Sequence, residues 1–435
     1  MQRAGIPFVA TACAFLALLA PRPAARGAEP APDYTGSGSC SSSQCHGSLR
    51  PRTDGRVTQN EHTLWVTKDE HAQAYAHLLQ ERSRTIARNL GLKTGAEKEP
   101  RCLACHTLDA PAERRGRSFD PADGVSCEAC HGPAERWLGP HTTRGWQHRQ
   151  SLDLGMRDTK DPLVRAEACS ACHVGTAAAS VDHELLAAGH PELVFEMQWA
   201  SNSMPPHWRE PAERGAFFAT RLWAAGEAAH LRDQMSRAGR HEPGSRPEFA
   251  EFECGSCHHE LVQKSWRQVR GYAGRRPGDP PIDLSRWRVL APLVRRMAPA
   301  IAQEIDTAAA ELAAGPADLR VAAGRLASAA GDLARRLADA EVDLGREATL
   351  AILSDLAGDP APAREFGFRG AGQIAMSIDS LGRALIETRA SGAGPPLDAA
   401  VEALFETLKN PAAYDPDAFT GALRVVASRL KETTP

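Results

Sequence analysis

The chain has 435 residues, 42% of them apolar and 24% charged, enough for two or three domains at roughly 150 residues each and too apolar to stay unfolded. Its formal charge of -3 supplies no basic field for a phosphate backbone, which excludes nucleic acid as the main partner. Eleven Cys are too few for a disulfide-dense mini-protein, but beside sixteen His they make spacing the first question.

Arg3 precedes a mostly apolar run from Ile6 to Ala20, then Pro21 and small residues near Ala25 to Ala28. The run is too short to span a bilayer and reads as a signal peptide over residues 1–28. The expected mature protein is periplasmic or otherwise exported, without a transmembrane segment. Cys13 lies inside the apolar run and leaves with it.

The ten remaining Cys form five close pairs, each followed at once by His. The first is Cys40-Ser-Ser-Ser-Gln-Cys45-His46, with a long spacer that must bulge or loop. The other four are Cys-x-x-Cys-His: Cys102, Cys105 and His106; Cys127, Cys130 and His131; Cys169, Cys172 and His173; Cys254, Cys257 and His258. Four copies of this spacing are a strong signal for covalent c-type haem. Residues three apart share a helix face, so both thiols reach the vinyl groups on one porphyrin edge, and the next His swings beneath the ring to ligate iron. Structural zinc needs two Cys pairs per ion and no adjacent His, and plain disulfides or thioredoxin-like redox motifs leave all five His unexplained. The expected cofactor is therefore haem c, five per chain.

Eleven His lie outside the motifs and can supply sixth ligands. The stretch from Asp69 to Arg82 is helical in pattern, with His71, Tyr75, Leu78 and Leu79 on one face, which favours His71 over His77 and over His62. His141 follows the third Cys pair closely, behind Pro140. His183 opens a short apolar helix that Gly189 ends before His190; the two His lie about 10 Å apart along a helix and must serve different irons. The candidate distal ligands are thus His71, His141, His183 and His190. His207 is evenly balanced, and His148, His230 and His241 read as exposed polar residues. His259 points away from the ring that His258 serves. Met156, Met197 and Met204 are the weaker axial alternatives.

About 230 residues carry all five Cys pairs, roughly 46 for each, too few for separate polypeptide cores. The expected fold is mainly α, with short helices and loops wrapped on stacked haems over residues 29–265. A Gly-, Pro- and Arg-rich linker follows over 266–281, then an α-helical bundle over 282–435. Its stripes are Leu319, Leu326, Leu333, Leu337; Ile374, Ile378, Leu381, Leu385; Val401, Leu404, Phe405, Leu408; and Phe419, Leu423, Val426, Leu430, with Gly and Pro between helices. This tail contains no His and is read as docking or capping the haem region.

The stretch Trp65 to Tyr75 with His71 inside it, Gly124-Val-Ser-Cys127-Glu-Ala-Cys130-His131-Gly-Pro133, and His183-Glu-Leu-Leu-Ala-Ala-Gly-His190-Pro191 resemble the multihaem cytochromes of the cytochrome c-552/4 type. The resemblance covers about Tyr34 to Glu260. It implies closely stacked haems, mostly bis-His ligation, and in some members one open iron. The long first spacer, the fifth site and the large haem-free tail depart from it.

The expected function is exported electron transfer among redox partner proteins, such as other cytochromes or a quinol-linked or substrate oxidoreductase. The alternative is a multihaem oxidoreductase acting on a small nitrogen or sulfur compound at one open-coordination haem, with acid/base groups beside it. Loss of Arg3, Arg22 and Arg26 with the signal takes the formal charge from -3 to -6, and haem propionates add more negative charge, so a basic docking partner is favoured.

Overall fold

The computed structural model describes residues 30–53, 57–176, 179–208, 215–240, 248–258, 262, 280–315, 318–387 and 397–433. The expected signal peptide, all but the last two residues of the 266–281 linker, and His241 and His259 lie outside the described residues. Among the described residues the chain is α-helices and 3-10 turns, with two isolated bridges, Tyr34 to Arg115 and Phe252 to Ile282, in place of strands. The mainly α expectation holds.

The first part is a succession of short helices. They are α1 (Glu61–Lys68), α2 (Ala74–Leu78), α3 (Glu81–Asn89), α4 (Pro100–His106), α5 (Cys127–His131), α6 (His148–Asp153), α7 (Pro162–His173), α8 (His183–Ala188) and α9 (Met197–Ser203). Local chemistry sets their ends. Asp161 accepts from the backbone N–H of Leu163 and Val164 to start α7, with Pro162 in its first turn. Asp182 caps α8 through Leu185 N, and Gly189 ends it at φ 114°. The helix expected across Asp69 to Arg82 is broken: a 3-10 turn over Glu70–Gln73 leads into α2, and extended Gln80 precedes α3. Asp69 causes the first break by accepting from His71 N, a bond that competes with a regular helix start. Leu79 consequently turns outward, 46% exposed, while Leu78 is buried.

Apolar burial in this part is thin. Leu78, Ala87 and Ala96 form one small cluster, and Ile86, Leu185 and Ala188 another. A continuous core begins only at Ala166 and Phe195 and runs to Leu430.

That core belongs to the helical layer of α10 (Phe218–Ala238), α11 (Ser285–Met297), α12 (Pro299–Ala313), α13 (Leu319–Ala338), α14 (Arg346–Gly358), α15 (Ala361–Glu365), α16 (Gly367–Glu387), α17 (Leu397–Glu406) and α18 (Pro416–Thr433). The four apolar stripes read from the tail face inward: Leu326, Leu333, Leu337, Ile374, Ile378, Leu381, Leu385, Val401, Leu404, Phe419, Leu423, Val426 and Leu430 are buried, and Leu319, Phe405 and Leu408 pack on them.

The helix α10 precedes the linker in sequence yet lies along α13 and touches α7, α9, α11 and α16. Leu222, Trp223, Leu231 and Met235 on it are fully covered. At Gly226 a Cβ would meet Met197 Cε at 2.8 Å, so only glycine lets α9 seat this close. One helix therefore ties the Cys-rich part to the bundle.

Leu231→Ala leaves a cavity where α10 meets its neighbours and should cost about 2–5 kcal/mol. Chemical denaturation followed by the helical circular-dichroism signal measures the loss.

Candidate functional site

Each Cys pair sits on a structure that brings its thiols to one side. In α4, Pro100 occupies the first turn, Glu99 caps through Arg101 N, and Cys102, Cys105 and His106 end the helix. The motif Cys127 to His131 is the whole of α5, stopped by Gly132 at φ 78°. Cys169, Cys172 and His173 form the last turn of α7. Cys254 starts a 3-10 turn capped by Glu253. At the first pair a 3-10 turn ends at Cys40, the chain turns through Cys45, and His46 N donates to Cys40 O at 3.2 Å. The long spacer is thus absorbed in a turn that returns His46 beside Cys40. None of the ten thiols is joined to another in a disulfide.

Three of the five motif His face a His from another segment. The ring centroids of His46 and His141 are 6.2 Å apart with planes 5° from parallel. Those of His71 and His173 are 6.0 Å apart and nearly perpendicular, and those of His183 and His258 are 6.0 Å apart at 33°. Two imidazoles binding one metal from opposite sides at about 2 Å each place their centroids about 6 Å apart. Among the described residues no group of three His, Cys, Asp or Glu is placed to hold a bare metal ion. Two axial imidazoles suit iron whose four in-plane ligands come from a porphyrin.

Hydrogen bonds fix the ring tautomers. His46 Nδ1 lies 2.9 Å from Glu61 Oε2, and Glu61 is held in place by Thr58. His71 Nδ1 lies 2.9 Å from Asp69 Oδ1. His106, His141 and His190 direct Nδ1 at the carbonyls of Ala74, Trp137 and Pro191, at 2.8, 3.0 and 2.8 Å. Carbonyls and carboxylates accept only, so each Nδ1 carries the proton and each Nε2 keeps its lone pair. Metal-ligating His are held by this kind of outer bond.

His77 and His148 differ. Gln80 and Glu70 engage both nitrogens of His77, and Asp158 takes Nε2 of His148, which commits them to surface polar contacts. Burial pushes His131 and His173 down to about 4, reinforced by His207 beside the first and His71 beside the second. Both rings are therefore neutral, as ligation demands. Burial likewise raises Cys169 to about 12 and Cys254 to about 11.

Thiols of different motifs also meet. Cys40 lies within hydrogen-bond reach of Cys127, and Cys105 within reach of Cys172. Cys130 is close enough to Cys169 to disfavour its ionisation. The motif sites therefore adjoin in the order first, third, fourth, second. The helix α8 continues the series: His183 at its start faces His258, and His190 beyond its end lies beside His106.

Several residues were invisible or misjudged in the sequence. His207, next to His131, directs Nδ1 to Pro205 O at 3.3 Å and so resembles the other pinned His. The Pro-Pro before it marked the turn but not its neighbour. His230, expected exposed, is fully buried against Phe195. Met197 is a core residue under α10, with no part in the paired sites. Arg369, on α16, ion-pairs with Glu192 and donates to Ala250 O at 2.8 Å, on the segment leading to Cys254.

Residues 39–132 match the family described as cytochrome c554 and c-prime. No curated protein and no solved structure matches the chain. The matched stretch contains the first three Cys pairs, and this likeness supports a multihaem c-type cytochrome with covalently bound haem c and redox partners. Among the described residues no helix is long and apolar enough to cross a membrane.

Asp69→Asn removes the charge behind His71 Nδ1–H and makes the ring a poorer electron donor through Nε2. One haem should shift to a higher reduction potential with haem content unchanged, as read by optical spectroelectrochemistry.

Proposed function

We propose that the chain is an exported pentahaem electron carrier whose haems form a line and are mostly bis-His ligated. The observation that carries this reading is the set of three facing imidazole pairs, each at 6.0 to 6.2 Å. In this reading His46, His106, His131, His173 and His258 are proximal ligands. Cys40, Cys45, Cys102, Cys105, Cys127, Cys130, Cys169, Cys172, Cys254 and Cys257 form the thioether links. His141 serves the first site, His190 the second, His71 the fourth and His183 the fifth. The proximity of His207 to His131 and its pinned Nδ1 support it as the ligand of the third.

Haem iron supplies a one-electron ferric/ferrous couple, and bis-imidazole ligation places that couple low relative to Met/His cytochromes. The protein's work is then placement. Thiols of successive sites touch or adjoin, so electrons pass between neighbouring sites without segment motion. The line runs from the Cys40 site through those of Cys127, Cys169 and Cys102, and reaches the Cys254 site through α8. Its two ends are the long-spacer site and the site beside the helical layer. The helical layer supports the last site through Arg369 rather than adding ligands, since residues 282–435 contain no His. Export follows from the apolar N-terminal run, and the acidic mature chain favours basic redox partners.

A pyridine haemochrome assay against protein mass, with ferric electron paramagnetic resonance on the same sample, tests the reading. Five haems and low-spin signals are expected. Cys40→Ser with Cys45→Ser should lower the count to four, and His71→Ala and His141→Ala should each turn one haem high-spin. A wild-type high-spin population that binds cyanide or nitric oxide would replace the pure carrier with an oxidoreductase acting on a small nitrogen or sulfur compound.

A further inference from the structure

Where the helical layer meets the His173 region, it encloses two carboxylates that the electron-carrier reading leaves unused. Glu196 and Glu227 are both fully buried. Glu227, on α10, accepts from Gln373 Nε2 at 2.6 Å and pairs with Arg286 Nη1 at 3.2 Å. Glu196 caps α9, accepting from Gln198 N at 2.6 Å, Trp199 N at 2.7 Å and Ser380 Oγ. Gln373 Nε2 also reaches Phe195 O, one residue before Glu196, so both acids sit against α16, and Arg286 pairs with Glu227 while acting on Glu196 only through its field. A buried pair of like charges with a single counter-charge favours holding one proton.

Among the described residues no second cation is left to compensate the pair. From α11 comes Arg286, and from α16 come the neutral Gln373 and Ser380. His230, one turn beyond Glu227, is kept neutral far below its usual range by burial and by Arg286. Arg369, the other nearby guanidinium, is engaged by Glu192 and Asp283. Burial pushes Glu196 up to about 7, resisted by Ser380 and the backbone donors. It pushes Glu227 up to about 8, where Arg286 opposes and Glu196 adds to the rise.

The pair also lies next to a redox site. Phe195 stacks on His173 with centroids 4.5 Å apart and planes 15° from parallel, and its carbonyl accepts from Gln373 Nε2 at 3.4 Å. Glu196 is the next residue. One side chain thus separates an axial imidazole from the carboxylates, through an interior where charges interact strongly.

We propose that the Glu196–Glu227 pair takes up one proton when the His173 site accepts an electron, making this cytochrome a proton-coupled electron carrier. The electron comes from a reducing redox partner and the proton from solvent. One O–H bond forms on a carboxylate, no other bond changes, and the net charge of the region is conserved. The proposal rests on His173 being a haem ligand. Its sign is fixed: an added electron favours the protonated acid, so the proton affinity of the pair is higher in the reduced state. Between the oxidised-state and reduced-state affinities, the potential falls as pH rises, and outside that interval it is flat.

Spectroelectrochemistry of the intact holoprotein between about pH 6 and pH 9 tests this, the interval lying well above ordinary carboxylates. One haem should lose potential with rising pH, and Glu227→Gln, which removes the acid that pairs with Arg286, should flatten that dependence. A protonated-carboxyl band should appear in the reduced-minus-oxidised infrared difference and vanish in Glu227→Gln. Ser380→Ala, which removes a donor to the Glu196 carboxylate, should move the inflection to higher pH at unchanged haem content. Potentials independent of pH in the wild type, or a dependence retained in both Glu227→Gln and Glu196→Gln, would overturn the proposal alone. A haem count below five, with the low-spin signal of the His173 site missing, would remove the ligand assignment and the proposal with it.

Discussion

The facing imidazoles set the terms for the rest of the molecule. A pair of rings such as His46 and His141, held 6.2 Å apart, is too widely spaced to be held by ring-on-ring contact. The polypeptide must therefore fix each ring from behind. That is what Glu61, Asp69 and the carbonyls of Ala74, Trp137 and Pro191 do through Nδ1. Each such bond needs its acceptor in one place, which explains why residues 30–208 consist of short capped helices and turns rather than long regular elements. The same arrangement explains the thin apolar clusters there: segments oriented around rings have little area left to bury on one another.

The helical layer answers a different requirement. The Cys-rich part has only small apolar clusters, whereas α10 through α18 share a continuous apolar core. Residues Ala166, Phe195 and Met197 from the Cys-rich part enter that core, which anchors α7 and α9 to it. Arg369 extends the anchorage. Its guanidinium is largely buried, with Glu192 and Asp283 holding it charged against the cost of burial, and it reaches the carbonyls of Ala250 and Phe252 just before Cys254. Breaking such a group at one partner leaves an uncompensated buried charge, which makes the contact specific as well as stabilising.

Much of this was legible in the residues. The thiol and His spacing marked the motif sites because it is local, set within a single helical turn. The end of α8 at Gly189, between His183 and His190, was legible as well, because a glycine stop is also local. The break after Asp69 was harder to read: the apolar pattern continued through it while a side-chain bond to the His71 backbone redirected the chain. The role of α10 was not legible, because a helix covered on nearly all sides has no stripe; His230 in its middle read as an exposed polar residue. His207 and His230 show the same limit, since the burial of a lone His is decided by segments distant in sequence.

Those hidden polar residues separate two uses of burial. At His131 and His173, burial holds an imidazole neutral, the state that ligation would need, and the ring itself does not change charge near neutrality. At Glu196 and Glu227 the buried group itself can change charge, because a carboxyl that ionises near neutrality costs little to protonate. Arg286 keeps the pair from being fully protonated, and the second acid keeps it from being fully ionised. Glu227 pairs with Arg286 directly, whereas Glu196 is raised by burial and held by Ser380 and the backbone donors of α9. The site therefore requires both carboxylates and one guanidinium, contributed by α10, the α9 cap and α11, and it exists only because the helical layer closes over the Phe195 segment.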